Sequence, residues 1–191
     1  MRAAGLASMA YFYCDFRDGE KQNLYGILSS LIVQLSSDSD SYFNILSQSY
    51  SDHSHSTRKP DIDALKKCMT DILTLPGQAP IYIVIDALDE CLNSSGMPSA
   101  RGKVLELIEE LIHLRLPNLH LCVSSRLEMD IQMVLKPLAS LEICLHAESG
   151  QREDIAEYIK SVVHSDRNMR RWKEEDKQLV IGTLSDSADG M

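Results

Sequence analysis

Four short apolar runs alternate along the chain with longer segments of helical period, and this alternation constrains the fold more than any other feature. The runs are residues 10–16 (AYFYCDF), 81–85 (IYIVI), 119–123 (LHLCV) and 141–145 (LEICL). They are rich in β-branched or aromatic side chains and too short for buried helices, so each is expected as a strand. Between the first two, Leu24, Ile27, Leu28, Leu31, Ile32 and Leu35 recur at the spacing of one helix face. A second helix is marked by Ile62, Leu65, Cys68, Met69, Ile72 and Leu73, with Asp61 opening it where a carboxylate meets the positive end of the helix dipole. Val104, Leu105, Leu107, Ile108, Leu111 and Ile112 mark a third, stopped before Pro117. Ile155, Tyr158, Ile159, Val162 and Val163 mark another. Strands joined by crossover helices give a parallel sheet, so the expected fold class is α/β.

The remaining segments are less regular. Residues 36–59 are rich in Ser, Asp and His, with Tyr42, Phe43, Ile45 and Leu46 suggesting a short helix and residues 51–59 a mobile polar stretch. His53 and His55 lie there without a thiol or third ligand, the composition of a solvated loop. Met129 and Met133, four apart on a short helix, are expected to fill core. Residues 172–184 read as a charged helix whose few apolar residues face something further along. Neither end looks finished, since the first strand begins almost at Met1 and the last residues stop abruptly.

Composition excludes several functions. The chain has 191 residues, 44% apolar, and its 28 acidic against 19 basic residues leave a formal net charge of −9, which repels a phosphate backbone. Nucleic-acid binding is therefore not expected. No apolar run approaches the length of a membrane span. The five cysteines are odd in number and contain no C-x-x-C pair; three sit inside apolar runs, which fits a reducing, cytoplasmic setting. The opening residues continue into a strand with Asp15 close behind, which argues against a signal peptide.

The stretch most telling of chemistry is Ile81-Tyr-Ile-Val-Ile-Asp86-Ala-Leu-Asp89-Glu90-Cys91. An apolar strand delivering a carboxylate, followed by two more acids, is a Walker B arrangement. A parallel strand would bring Asp86 to the carboxyl edge of the sheet, where a carboxylate can hold Mg²⁺ through its waters. Asp89 or Glu90, in the next turn, could then orient or deprotonate a water aimed at a γ-phosphate. The following run ends Val123-Ser124-Ser125-Arg126, so the same edge would carry hydroxyls and a guanidinium; Ser125 and Arg126 are the candidates for reading a phosphate there. The competing reading of Arg126 is an arginine that caps the loop or pairs with Glu128. No Ser-His-Asp or Cys-His site can be assembled from the motif spacing.

The combination of AYFYCDF, IYIVIDALDEC, LHLCVSSR and a following DIAEYIKSVV helix resembles the NACHT-type NTPase domain, within it the nephrocystin-3-like N-terminal type of fungal NOD-like receptor proteins. These belong to the STAND class of P-loop ATPases. The resemblance implies a P-loop NTPase-like three-layer sandwich with a mostly parallel sheet over residues 1–165, and the start of a further helical segment at 166–191. It implies Asp86 as the Mg²⁺-coordinating acid, Asp89 and Glu90 as the pair assisting hydrolysis, and Arg126 as the sensor 1 arginine, here followed by Leu127 where the family often has Pro. ATP or GTP with Mg²⁺ would switch a signalling receptor between closed and oligomeric states, its partners being proteins or further copies engaged through flanking domains. The family's G-x-x-x-x-G-K-[ST] loop should precede the AYFYCDF strand, and no room for it exists before Met9. The near-match at 96–104 has the wrong spacing between its glycines and Val104 in place of the hydroxyl. The first strand and phosphate loop are therefore expected to be lacking, with that strand belonging beside the Asp86 strand, and tight nucleotide binding by this chain alone is not expected. The alternative is a degenerate, non-catalytic α/β protein-interaction module.

Overall fold

The computed structural model describes residues 6–53, 59–93, 98–144 and 149–187. The chain forms two compact units, residues 1–139 and 140–191.

The first unit is α/β, as the alternation predicts. Strands β1 (Ser8–Tyr13), β2 (Ile81–Asp86) and β3 (Leu119–Val123) make a parallel sheet in the order β1-β2-β3. Helices α1 (Leu24–Ser36), α2 (Asp40–His53) and α3 (Ile62–Leu73) connect β1 to β2, α4 (Ala100–His113) connects β2 to β3, and α5 (Met129–Leu135) follows β3. Side-chain caps start three of these helices: Asn23 accepts from the Gly26 N–H, Asp61 from Ala64 and Ser99 from Gly102. Each such cap stabilises its helix by about 1 kcal/mol. The polar α2 is longer than the short helix expected from Tyr42 to Leu46, and the polar stretch after it, with His55, lies mostly outside the described residues.

One face of the sheet is core. Ala10 and Phe12 of β1 and Ile81, Ile83 and Ile85 of β2 are buried together with Leu28, Leu31 and Leu35 of α1, Met69 and Ile72 of α3, and Val104 and Ile108 of α4. Burying each large aliphatic side chain contributes roughly 1.5–3 kcal/mol, so this face holds the unit together. The alternate residues, Met9, Tyr11, Tyr13, Tyr82, His120 and Cys122, are exposed. They form a polar-tipped surface on which the Tyr82 and His120 rings stack at 4.7 Å. Parallel sheets are normally covered on both faces. The described residues of this unit therefore build a sheet and one helical layer, with the opposite face open.

The two outer edges differ. Met9 and Tyr11 turn their N–H groups away from β2, and side chains meet both: Asp38 Oδ2 accepts from Met9 at 3.3 Å, and Gln34 Oε1 from Tyr11 at 3.2 Å. The Gln34 amide also donates to the Tyr11 carbonyl at 2.7 Å, so one side chain imitates a neighbouring strand. Among the described residues β3 has β2 on one side and no strand on the other. The sequence reading set a missing strand beside the Asp86 strand, and in this chain β1 and β3 lie together on the two sides of β2. Both flanks of β2 are occupied, by β1 and β3, so a further strand can extend the sheet only at an outer edge, and β3 presents the uncovered one.

The second unit contains α6 (Ser149–Ser165) and α7 (Glu174–Ser187), packed against each other across a 3-10 turn at Met169–Arg171. His164 Nε2 lies 3.2 Å from Glu174 Oε1. Hydrogen bonds from Gln178 and His164 hold the Glu174 carboxyl below the usual carboxylate range. The expected fourth strand is not formed: residues 141–144 belong to no ladder, Leu141 and Ile143 are exposed, and residue 145 lies outside the described residues. An apolar run becomes a strand only where a neighbour takes its backbone groups, and periodicity alone does not supply one. Met129 and Met133 correct another expectation, being 73% and 72% exposed on α5, whose buried contact is Ile131. No helix among the described residues is long and apolar enough to cross a membrane.

Candidate functional site

The three acids singled out in the sequence all lie at the carboxyl end of β2, but each has a different partner. Asp86 is the last residue of β2, paired in register with Tyr13. Its Oδ1 accepts a hydrogen bond from the Ser124 hydroxyl. Ser124 does more than orient this carboxylate. Its Oγ accepts the Ala87 N–H at 3.0 Å, its carbonyl accepts the Leu88 N–H at 2.9 Å, and its own N–H donates to the Ile85 carbonyl at 3.0 Å.

Those bonds have a structural reason. Ala87 has φ 57° and ψ 47°, the left-handed region, which costs a non-glycine residue about 1–2 kcal/mol. The turn at Ala87 reverses the chain sharply enough to put Leu88 into the core and to set Asp89 and Glu90 in one 3-10 turn. Hydrogen bonds from Ala87 and Leu88 to Ser124 offset that strain. The spacing of Asp86, Asp89 and Glu90 is thus realised by a backbone clamp between the ends of β2 and β3.

Asp89 is largely buried, its side chain 12% exposed, and faces the loop after β3. Its Oδ1 accepts the Arg126 N–H at 3.0 Å, and its Oδ2 lies 3.5 Å from Arg126 Nε. The sequence reading of Arg126 as a partner of Glu128 is corrected: the residue pairs with Asp89, while the Glu128 N–H bonds the Arg126 carbonyl. The guanidinium itself remains 78% exposed. Ser125 is exposed beside it. Glu90 points the other way, its Oε2 accepting the Phe16 N–H at 3.1 Å in the turn after β1.

Arg101 was not singled out from the sequence, yet it organises the site from beneath. It is buried in the first turn of α4, donating to the carbonyls of Cys91 at 3.2 Å and of Asp89, and to both carboxylate oxygens of Asp130 at 3.2 and 3.1 Å. A buried guanidinium is stable only with its donors used, and here two backbone carbonyls of the acidic turn use them. A lone Arg early in an apolar helix face was the available signal.

The donor set bears on a metal. Mg²⁺ keeps several waters and takes one or two carboxylates together with ligand phosphate oxygens, instead of an all-protein cage. Among the described residues no group of three or more His, Cys, Asp or Glu side chains could hold a metal by itself. Asp86, fixed by Ser124 at the sheet edge, fits the first kind of site. Asp89 and Glu90, turned to Arg126 and Phe16, do not join it as ligands in this arrangement.

Residues 2–126 match the family described as Nephrocystin 3, N-terminal. No curated protein and no solved structure matches the chain. The matched segment runs from before β1 through Arg126 and takes in Asp86, Asp89, Glu90, Arg101, Ser124 and Ser125, while Asp130 lies beyond it. The chain belongs to the nephrocystin 3 N-terminal family.

Proposed function

We propose that this chain carries the metal-binding and hydrolytic half of a NACHT-like nucleoside-triphosphate switch of the STAND class, from a signalling or NOD-like-receptor protein, and that it binds nucleotide weakly by itself. The observation that supports this best is the convergence of Asp86, Ser124, Asp89 and Arg126 at the carboxyl edge of adjacent parallel strands, tied together by hydrogen bonds. Open α/β sheets bind their ligands at that edge. In this reading Asp86 of the Walker B strand holds Mg²⁺ through water, with Ser124 keeping its carboxylate aimed. The ion, when bound, neutralises charge on the β- and γ-phosphates of ATP or GTP. Arg126 leaves Asp89 to meet the γ-phosphate beside the Ser125 hydroxyl. That exchange frees Asp89 to orient an attacking water, which Glu90 joins only by leaving the Phe16 N–H. The 191 residues contain no G-x-x-x-x-G-K-[ST] loop, so the backbone cradle for the phosphates has to come from a strand and loop added at the β3 edge, next to Ser124, Ser125 and Arg126.

A second reading is the degenerate interaction module. It is favoured by the engagement of Arg126 by Asp89 and of Glu90 by the Phe16 N–H, which leaves both side chains in intramolecular contacts. Titration with Mg²⁺ and a fluorescent ATP analogue separates the two, using this chain, its Asp86→Ala variant, and the chain extended upstream through any encoded phosphate loop. Weak binding here that strengthens at least tenfold in the extended chain and is lost with Asp86→Ala supports the switch. Absence of binding by both lengths supports the interaction module.

A further inference from the structure

Two of the five cysteines meet in the core directly behind the acidic turn. Cys14 follows β1, its N–H bonded to the Asp86 carbonyl at 3.0 Å, and Cys91 follows Glu90, its N–H bonded to the Leu88 carbonyl at 3.1 Å. Their sulfurs share a hydrogen bond of 3.3 Å, and the residues are 5% and 1% exposed. Cys68 is buried elsewhere on α3, and Cys122 and Cys144 are exposed.

Both backbones are held on the same seam. Arg101 fixes the Cys91 carbonyl from one side, and the Phe16 N–H to Glu90 bond bridges β1 and the acidic turn from the other. Two thiols brought to hydrogen-bond distance by separately anchored backbones need only a small approach to bond covalently. We propose that Cys14 and Cys91 form an oxidisable dithiol, a site at which a small two-electron oxidant of the peroxide class installs a disulfide between the end of β1 and the acidic turn.

The chemistry balances. The Cys91 thiolate attacks one peroxide oxygen, the O–O bond breaks, and the departing oxygen leaves as water after taking a proton, which gives a sulfenic acid on Cys91. Cys14 sulfur then attacks the Cys91 sulfur, the S–O bond breaks, and the hydroxide leaves as water with the Cys14 proton. Two thiols and one peroxide yield one disulfide and two waters. The assignment of Cys91 as attacker follows from its surroundings: the hydrogen bond with Cys14 and the nearby Arg101 charge lower its thiol below the ordinary value, against burial and Asp89, which raise it. Burial of both thiols favours a small oxidant over a tripeptide disulfide.

The site is independent of nucleotide binding, and mass spectrometry tests it. The purified chain is treated with hydrogen peroxide, alkylated and digested. We expect a crosslink between the Cys14 and Cys91 peptides, reversible with dithiothreitol and formed equally in a Cys122→Ser/Cys144→Ser variant. Oxidised glutathione is expected to modify Cys122 and Cys144 and leave the pair reduced. In a Cys14→Ser variant the Cys91 sulfenic acid should persist and be trapped by dimedone. Because the two positions are 77 residues apart, the disulfide closes a long loop and should raise the melting temperature of the oxidised chain. Peroxide oxidation confined to Cys122 and Cys144, or over-oxidation of Cys91 without a crosslink, would overturn the proposal.

Discussion

The β1 and β3 edges of the sheet are built to different ends. At β1, Gln34 and Asp38 take the outward backbone groups of Met9 and Tyr11, and α1 packs behind them with Leu28, Leu31 and Leu35 fully buried. At β3, Leu119, Leu121 and Val123 are only partly buried, and no strand lies beyond them among the described residues. A sheet edge left unpaired is a template for another strand, so edges that are meant to end are blocked. The difference teaches that this sheet terminates at β1 and is open to extension at β3, the side that carries Ser124, Ser125 and Arg126.

Packing should show the contrast most strongly. Leu31→Ala, in the sealed half, is expected to cost about 3–4 kcal/mol in urea unfolding, whereas Leu121→Ala on β3 should cost roughly half of that, because its surroundings are already part solvent. Equal losses would erase the distinction. Next in size, Gln34→Ala removes the hydrogen bonds to both backbone groups of Tyr11 and should cost about 1–2 kcal/mol while increasing association in light scattering.

Tyr42 gives a smaller and pH-dependent test of the β1 side. Its hydroxyl donates to Gln78 Oε1 at 2.8 Å, and burial raises its pKa above the ordinary value. A raised folded-state pKa means that the unfolded chain ionises first, so this stabilisation is complete below the ordinary tyrosine range and is lost as pH rises through the folded value. Tyr42→Phe should cost about 1 kcal/mol near neutrality and flatten the alkaline decline in stability. The smallest effect on stability is expected for Cys122→Lys, on the exposed face of β3: within about 0.5 kcal/mol of the parent, but with less concentration-dependent association, since a lysine on an edge strand discourages strand pairing.

Much of this architecture is legible residue by residue. The 3-1-3-1-3 spacing from Leu24 to Leu35 yields α1 with those residues buried, and Asp61 caps α3 as its position ahead of Ile62 implies. Strand β3 coincides with the apolar run, and Asp86 closes β2. These features are local, set by period and capping. What the sequence conceals is pairing. Residues 141–144 look as strand-like as 119–123, yet a strand also requires a neighbour. Arg126 reaches Asp89 instead of Glu128 because Ala87 adopts a left-handed turn that no motif announces, and Arg101 acquires its role only when α4 brings it under that turn. The open face is hidden for a similar reason, since alternating Tyr and Met residues in an apolar run read as core until the missing cover is seen.

Site-resolved hydrogen exchange tests the edge comparison most directly. The Leu121 and Val123 amides turn away from β2, by the register that pairs the Ser124 N–H with the Ile85 carbonyl, whereas the outward amides of Met9 and Tyr11 are bonded to side chains. Protection of Tyr11 at least tenfold above that of Leu121 and Val123, reversed to near equality when the chain is extended upstream, is the predicted result. Leu121 and Val123 amides as slow as Tyr11 in this chain would contradict an open β3 edge.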